Sequence, residues 1–425
     1  MANGFLHKAL NYIYLHGYKY NAVARAHRRL VASVNPAEPV SVVFMAMNLA
    51  MWRYQHLWEA MNADARFNPS IVLSPCKDYD KNQSIKELNR LRDYFNERNM
   101  PYVDFDLEHD APPVDVRATL NPLVMFYPQP YENLLVPEHD CTAFYDRLLC
   151  YYPYAFWTSK GKWSYDFHFH NMAWRLYYST ALHLKEAERT ASNKGANVRV
   201  VGYPNADDYL AANFTDVWKP QPDNRRRLRV VWAPHYSIID KYGLVPRSNF
   251  LWMAHAMLEL ARKYADTIQM AFKPHPRLIN ELYIHPEWGK EAADAYYRLW
   301  ETLPNTQLET GDFTHLFMTS DAMIHDSGSF AVEYHYSRKP VMFVSRDIKS
   351  ILDTQSDFGL LAYKMHYLGQ NNDDIDNFIS HVVIAGNDSL KEQRDEFYEN
   401  YLLPPSGQSV AQNTIDDLAK SLGLT

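Results

Sequence analysis

Short apolar runs rich in β-branched residues alternate with amphipathic helical segments along this chain, and the alternation stops once and restarts. Strand-like runs fall at residues 39–48 (PVSVVFMAMN), 69–76 and 100–106, separated by helical patterns, and continue through 122–133, 151–157 and 197–204. A helical stretch is expected over about 173–194. Residues 216–228 (DVWKPQPDNRRRL) are proline-rich and charged, the composition of a linker. Beyond them the pattern resumes with strands at 227–234, 267–274, 320–326 and 340–344 and a helix over 249–265. Strand–helix alternation of this kind predicts parallel sheets covered by helices on both faces. The expected fold is therefore α/β, with two Rossmann-like, doubly wound parallel-sheet domains. The divisions are a helical leader (1–38), a first domain (39–215), the linker (216–228), a second domain (229–404) and a closing C-terminal helix (405–425). In such folds ligands bind outside the carboxyl ends of the strands, which predicts a site facing a cleft between the domains.

Composition narrows the function. A chain of 425 residues suits two domains rather than one core. Only 14 glycines are present, and neither a GxGxxG nor a Walker A pattern occurs, so a glycine-rich phosphate loop is not expected. A formal charge of −7 argues against general nucleic-acid binding. Cys76, Cys141 and Cys150 have no metal-ligand spacing and cannot all pair, which suits a reducing cytoplasm. No run reaches the ~20 apolar residues of a membrane span. The leader is basic and plausibly amphipathic; it reads as a helical cover for a domain face or, alternatively, as a peripheral contact with the inner face of the cytoplasmic membrane.

Two polar corners follow strands of the second domain. In FKPHPRL (272–278) two prolines stiffen the backbone and aim Lys273, His275 and Arg277, a set suited to phosphate or diphosphate. In HDSGSFAVEY (325–334) Gly328 allows close backbone approach and Ser329 suits an N-cap, so that Asp326, Ser327, Gly328 and Ser329 form an anion-binding turn. Glu333, one turn later, is placed to accept from ribose hydroxyls. An alternative is that Asp326 and Ser329 only cap the helix. His235 closes the first strand of the second domain, so its ring is expected to point into the cleft.

These corners, with the following KPVMFV and the upstream VVWAPHYS, resemble the CDP-glycerol glycerophosphotransferase family, the teichoic-acid polymerases and primases of GT-B type. The resemblance implies a CDP-activated polyol donor whose diphosphate meets His275 and Ser327 to Ser329, with Glu333 near the nucleotide. It further implies attack by a hydroxyl of a surface-polymer or lipid-linked acceptor on the β-phosphorus, with CMP leaving. No cofactor and no protein-bound metal are implied. The Trp-His-Gly-Thr pattern of the family is absent from the first domain. In its place stands YYPYAFWTSKGKWSYDFHFHNMAWRL, where His170 with Asn171, or His168, is the candidate acceptor-side histidine and His170 the expected base. A strand would put His168 and His170 on one face; a helix would separate them.

Asn48, Trp52 and Arg53 follow the first strand and are candidate acceptor-binding residues, although Trp52 fits a helix-face core position equally well. Asp104 and Asp106 form a DxD-like pair that reads as a solvated strand end rather than a metal site. Three competing functions share the architecture. They are a CMP-sugar glycosyltransferase for capsule or lipopolysaccharide, an isomerase similar to UDP-N-acetylglucosamine 2-epimerases, and a non-catalytic nucleotide-binding scaffold.

Overall fold

The computed structural model of the chain describes residues 20–239, 247–311 and 313–424. The chain divides into two compact units, one of residues 1–207 with 403–425 and the other of residues 208–402.

The first unit holds a seven-stranded sheet in the order β3-β2-β1-β4-β5-β6-β7, with every pairing parallel. Its strands are β1 (Val40–Ala46), β2 (Phe67–Leu73), β3 (Tyr102–Val103), β4 (Val124–Tyr127), β5 (Leu148–Tyr151), β6 (Arg175–Tyr178) and β7 (Val198–Val200). Central β1 and β4 are buried on both faces, as a doubly covered parallel sheet requires. Burying each of their large apolar side chains is worth about 1.5–3 kcal/mol. The helix α1 (Tyr20–Ala32) and the turns at 33–38 form the described part of the expected leader; residues 1–19 lie outside the described residues. β6 departs from the sequence-based expectation, which placed helix there. RLYY is too short for its periodicity to separate it from the helix at Ala181–Thr190, and pairing with β5 and β7 decides the matter.

The C-terminal helix (Val410–Leu422) belongs to this first unit. It starts against Gly202, whose φ is +107° and where a Cβ would lie 2.8 Å from Val410 Cγ2. The Asp207 carboxylate accepts hydrogen bonds from Val410 N (2.9 Å) and Ala411 N (3.1 Å), satisfying two otherwise orphaned helix donors.

The second unit holds a six-stranded parallel sheet in the order β10-β9-β8-β11-β12-β13. The strands are β8 (Leu228–Ala233), β9 (Ile268–Phe272), β10 (Thr306–Leu308), β11 (Ala322–His325), β12 (Val341–Val344) and β13 (Tyr367–Gly369). The three-residue edge strands β10 and β13 escape sequence reading because they are short and half polar. Residues 216–228, expected as a free linker, are docked on this unit. Trp218 is buried with its Nε1 donating to Thr319 Oγ1 at 3.1 Å, and Arg229 pairs with Asp216 at 2.7 Å.

Among the described residues, no helix is long and apolar enough to cross a membrane.

Candidate functional site

In the second sheet β8 is central, with β9 on one side, reached through α2 (Phe250–Lys263), and β11 on the other. The connections leaving β8 and β11 therefore diverge, which opens a crevice at their carboxyl ends, the topological switch point of a doubly wound sheet. Three strand exits meet there. Lys273 N donates to Trp232 O (2.8 Å) and His275 N donates to Pro234 O (3.1 Å), so the ladder between β8 and β9 runs on past both strands. On the other side His325 pairs in register with Ala233, which sets Asp326 beside His235.

The two histidines at this edge are held alike. Arg277 N donates to His275 Nδ1 at 3.1 Å, and Ser237 N donates to His235 Nδ1 at 3.2 Å. With Nδ1 used as an acceptor, a neutral ring carries its proton on Nε2, so both present an N–H donor. Their ring centroids are 5.5 Å apart, and Tyr236 lies 4.4 Å from His235 and 4.5 Å from His275. The Arg277 guanidinium stacks over Tyr236 at 4.4 Å while its side chain stays 59% exposed. Lys273 is buried, and its charge acts on His275. Across the crevice, Arg247 Nη1 is the heavy atom nearest to where a Cβ on Gly328 would lie, at 3.9 Å.

Burial and nearby positive charge set the electrostatics of this edge. Burial lowers the pKa of His235 to about 3, aided by the charges of His275, Arg247 and Arg277. Burial lowers that of His275 to about 4, aided by Arg277 and Lys273. At neutral pH both rings are uncharged donors in a field set by three cations, an arrangement that favours an anion.

Within the second corner the roles differ from expectation. Asp326 is not free to meet a ligand. Its Oδ1 accepts from His235 N (2.6 Å) and its Oδ2 from Asn249 N (2.5 Å), and it is 3% exposed. It therefore clamps the β8 exit and the start of α2 onto β11, and burial raises its pKa to about 6. Ser329 does not cap through its side chain. Its backbone is already helical, and the helix that follows, Phe330–Glu333, has four residues before a 3-10 turn, too short for a helix dipole to matter. What remains at this corner is the Ser327–Gly328–Ser329 turn, with Arg247 as the group nearest to Gly328. Glu333, expected to accept from ribose hydroxyls, is buried at the end of that short helix.

The candidates in the first unit separate. Trp52 is a core residue, 6% exposed, with its ring edge-on to Phe44, Tyr54 and Phe95 and Nε1 donating to Gln55. Asn48 Oδ1 accepts from Met51 N at 2.9 Å, capping a 3-10 turn, and its Nδ2 donates to Tyr79. Arg53 Nε donates to Tyr154 O at 3.0 Å, tying the β1 exit to the loop after β5.

His168 and His170 lie on the short helix His168–Met172, so two residues of separation turn them about 200° apart. His168 Nδ1 meets Glu132 Oε1 at 2.5 Å, and the same carboxylate accepts the Tyr145 hydroxyl. His170 is 1% exposed, its Nδ1 accepts from Phe167 N at 3.1 Å, and burial lowers its pKa to about 3. That placement corrects the expectation of an acceptor base at His170, because a proton acceptor must meet its substrate. Asn171 is a structural staple: Nδ2 donates to Asp166 Oδ1 (3.0 Å) and Phe167 O (3.1 Å), and Oδ1 accepts from Asn193 N (2.9 Å).

Arg247, Tyr236 and Ser237 were not found by sequence reading. Tyr236 and Ser237 directly follow His235 and were within reach of the strand-end argument. Arg247 lies in the irregular stretch 247–249 ahead of α2, with no pattern that marks it.

A search of curated proteins returns no match. Solved structures share the fold. The wall teichoic acid polymerase TagF superposes with a TM-score of 0.56 at 12% identity over 100% of this chain and 98% of that one. The UDP-GlcNAc 2-epimerase from Neisseria meningitidis bound to UDP-GlcNAc gives 0.54 at 12% identity over 89% and 99%. The S. aureus MnaA–UDP co-structure also gives 0.54 at 12% identity, over 91% and 98%. These likenesses establish a GT-B-like pair of α/β units. The family model described as CDP-Glycerol:Poly(glycerophosphate) glycerophosphotransferase matches residues 162–410, which contain the whole crevice of the second unit. With more than half of its length matched, this chain belongs to the CDP-glycerol:poly(glycerophosphate) glycerophosphotransferase family.

Proposed function

We propose that the second unit binds the diphosphate of CDP-glycerol, or of a closely related CDP-polyol, and that the protein transfers the polyol phosphate to a hydroxyl of a surface-polymer or lipid-linked acceptor. The observation that carries this reading is the convergence of two Nε2–H imidazole edges, Lys273, Arg277 and Arg247 on one strand-end crevice. Family membership and the TagF structure soaked with CDPG support a cytidine-nucleotide donor.

In the reaction the acceptor oxygen forms a bond to the β-phosphorus while the bond from that phosphorus to the bridging oxygen breaks. CMP leaves with the electron pair, and the acceptor proton passes to a base. Lys273, Arg277 and Arg247 offset the charge on the transferring group, and His235 and His275 donate through Nε2 to its oxygens. Charge-assisted contacts of this type contribute about 1.5–3 kcal/mol each. His168 does not take the place of His170 as the base, because its Nδ1 is held by Glu132 Oε1 and its Nε2 is buried as well. Asn48 and Arg53 remain acceptor-side candidates. Both precede the residues matched by the family model.

The test is incubation of the protein with CDP-glycerol, CDP-ribitol, CMP-sugars and UDP-N-acetylglucosamine, with and without a poly(glycerol phosphate) primer. Primer-dependent CMP release from a CDP-polyol, lost in His275→Ala, is the expected result. Turnover of UDP-N-acetylglucosamine instead would replace this reading with an isomerase, and binding without turnover would replace it with a scaffold.

A further inference from the structure

Asn249 stands at the N-cap position of α2, where an asparagine ordinarily accepts a hydrogen bond from the first turn of its helix. Its side chain makes no such bond. The residue is 7% exposed, so an amide withheld from the helix has to be satisfied by other groups.

Those groups fix which way the amide points. Trp252 Nε1 can only donate and lies 3.0 Å from one end, which is therefore Oδ1. Three oxygens surround the other end: Val344 O at 3.0 Å, Arg247 O at 3.2 Å and Asp326 Oδ2 at 3.4 Å. A flipped amide would set its oxygen against all three and its NH2 against the indole N–H. Nδ2 carries two protons, and the two nearer carbonyls take them. Asp326 Oδ2 is already served by Asn249 N at 2.5 Å.

One side chain thus joins the last carbonyl of β12 to the carbonyl of Arg247, the residue whose Nη1 comes nearest to Gly328. The Arg247 peptide is held from its other side as well. Arg247 N donates to Ser237 Oγ at 3.1 Å, and Ser248 N donates to Ser237 O at 3.2 Å. With its N–H and its C=O both anchored, the Arg247 backbone keeps one position, and the long side chain extends from a fixed root. Rooting a cation in advance removes part of the ordering cost of binding an anion.

We infer that Asn249 is a positioning residue that roots Arg247 beside the Ser327–Gly328 turn, so that the guanidinium is in place for a donor phosphate. Asn249 acts through Arg247 and does not itself meet the ligand. The consequence for binding rests on the donor-site reading; the geometry does not.

Hydrogen exchange in the ligand-free protein tests the geometry. In Asn249→Ala the amides of Arg247 and Ser248 should exchange about tenfold faster than in wild type, with those of β8 and β9 unchanged. Unaltered exchange at these two amides overturns the inference whatever the protein binds. A titration with CDP, run as a double-mutant cycle, reads the consequence. The substitution keeps the backbone donor to Asp326, so the clamp on His235 survives it. Asn249→Ala should weaken CDP binding by about tenfold in the wild-type background, and by less than about twofold in an Arg247→Ala background, where the residue it positions is gone. Equal losses in both backgrounds would assign the side chain to the fold alone and overturn the positioning role. If Asn249→Ala does not fold, Asn249→Ser, which can cap α2, takes its place in both measurements with the same expectations; failure of both variants to fold would likewise overturn the role. Should wild-type protein bind no CDP, the donor reading falls and hydrogen exchange alone decides the inference.

Discussion

Gly328 separates a structural from a ligand-binding reason for a residue choice. Its φ lies outside the left-handed region, and an added Cβ would have as its nearest neighbour Arg247 Nη1 at 3.9 Å, an ordinary van der Waals distance on a flexible side chain. Nothing in the folded protein therefore opposes an alanine. Gly328→Ala should leave the fold intact and even raise stability by about 0.4–1 kcal/mol through the lower entropy of the unfolded chain. A diphosphate drawn to the turn is a different matter, because the methyl would stand between Arg247 and the backbone that the phosphate must approach. Losing one charge-assisted hydrogen bond costs about 1.5–3 kcal/mol, which converts to roughly 10- to 100-fold weaker binding. Isothermal titration with CDP, alongside a thermal melt, measures both quantities on one sample. Wild-type CDP affinity in a normally folded Gly328→Ala protein would refute the argument that a phosphate sits against this turn.

Three further outcomes follow from the geometry. The depressed pKa values of His235 and His275 mean that their contribution to stability is present above the ordinary histidine value near 6.5 and is lost as pH falls towards 4. A bound anion favours the protonated rings, so the rise in Tm produced by saturating CDP should grow between pH 7.5 and 5.5, and a His235→Asn/His275→Asn double variant should flatten that growth. Gly202→Ala must adopt φ +107° and meet Val410, so it should cost about 1–3 kcal/mol or more in strain and loosen the C-terminal helix, read as a lower Tm and earlier proteolysis after residue 403. His170→Phe should retain CMP release and lose only the hydrogen bond from Phe167 N, about 1 kcal/mol of stability; abolished turnover with an unchanged melt would restore His170 as the base.

Much of the fold was legible because a doubly covered parallel strand must be apolar on both faces. PVSVVFMA and TIQMAF therefore announce themselves as β1 and β9 without any tertiary information. The polar residues that interrupt such runs mark strand ends, and this is why Lys273, His275, Arg277, His235 and the Ser327 turn could be placed at strand exits from the sequence. The same reasoning overreached at Asp326, where the carboxylate is spent on the backbone amides of His235 and Asn249. Sequence distance of 77 residues or more hides that pairing. His170 failed for a related reason: a histidine in an aromatic stretch looks the same whether its ring faces solvent or core, and only packing against Phe167 and Tyr151 reveals which.

The chain on its own determined two doubly wound units and the family to which they belong, because hydrophobic period and proline-stiffened polar corners are local properties. Only the tertiary structure decided which charges converge. The strand order that sets β8 between β9 and β11 brings His235 to His275, and the close approach of Arg247 to Gly328 adds a cation from a loop that no local pattern singles out. Electrostatic fields and hydrogen-bond partners depend on through-space distance, and distance is what a linear sequence does not carry.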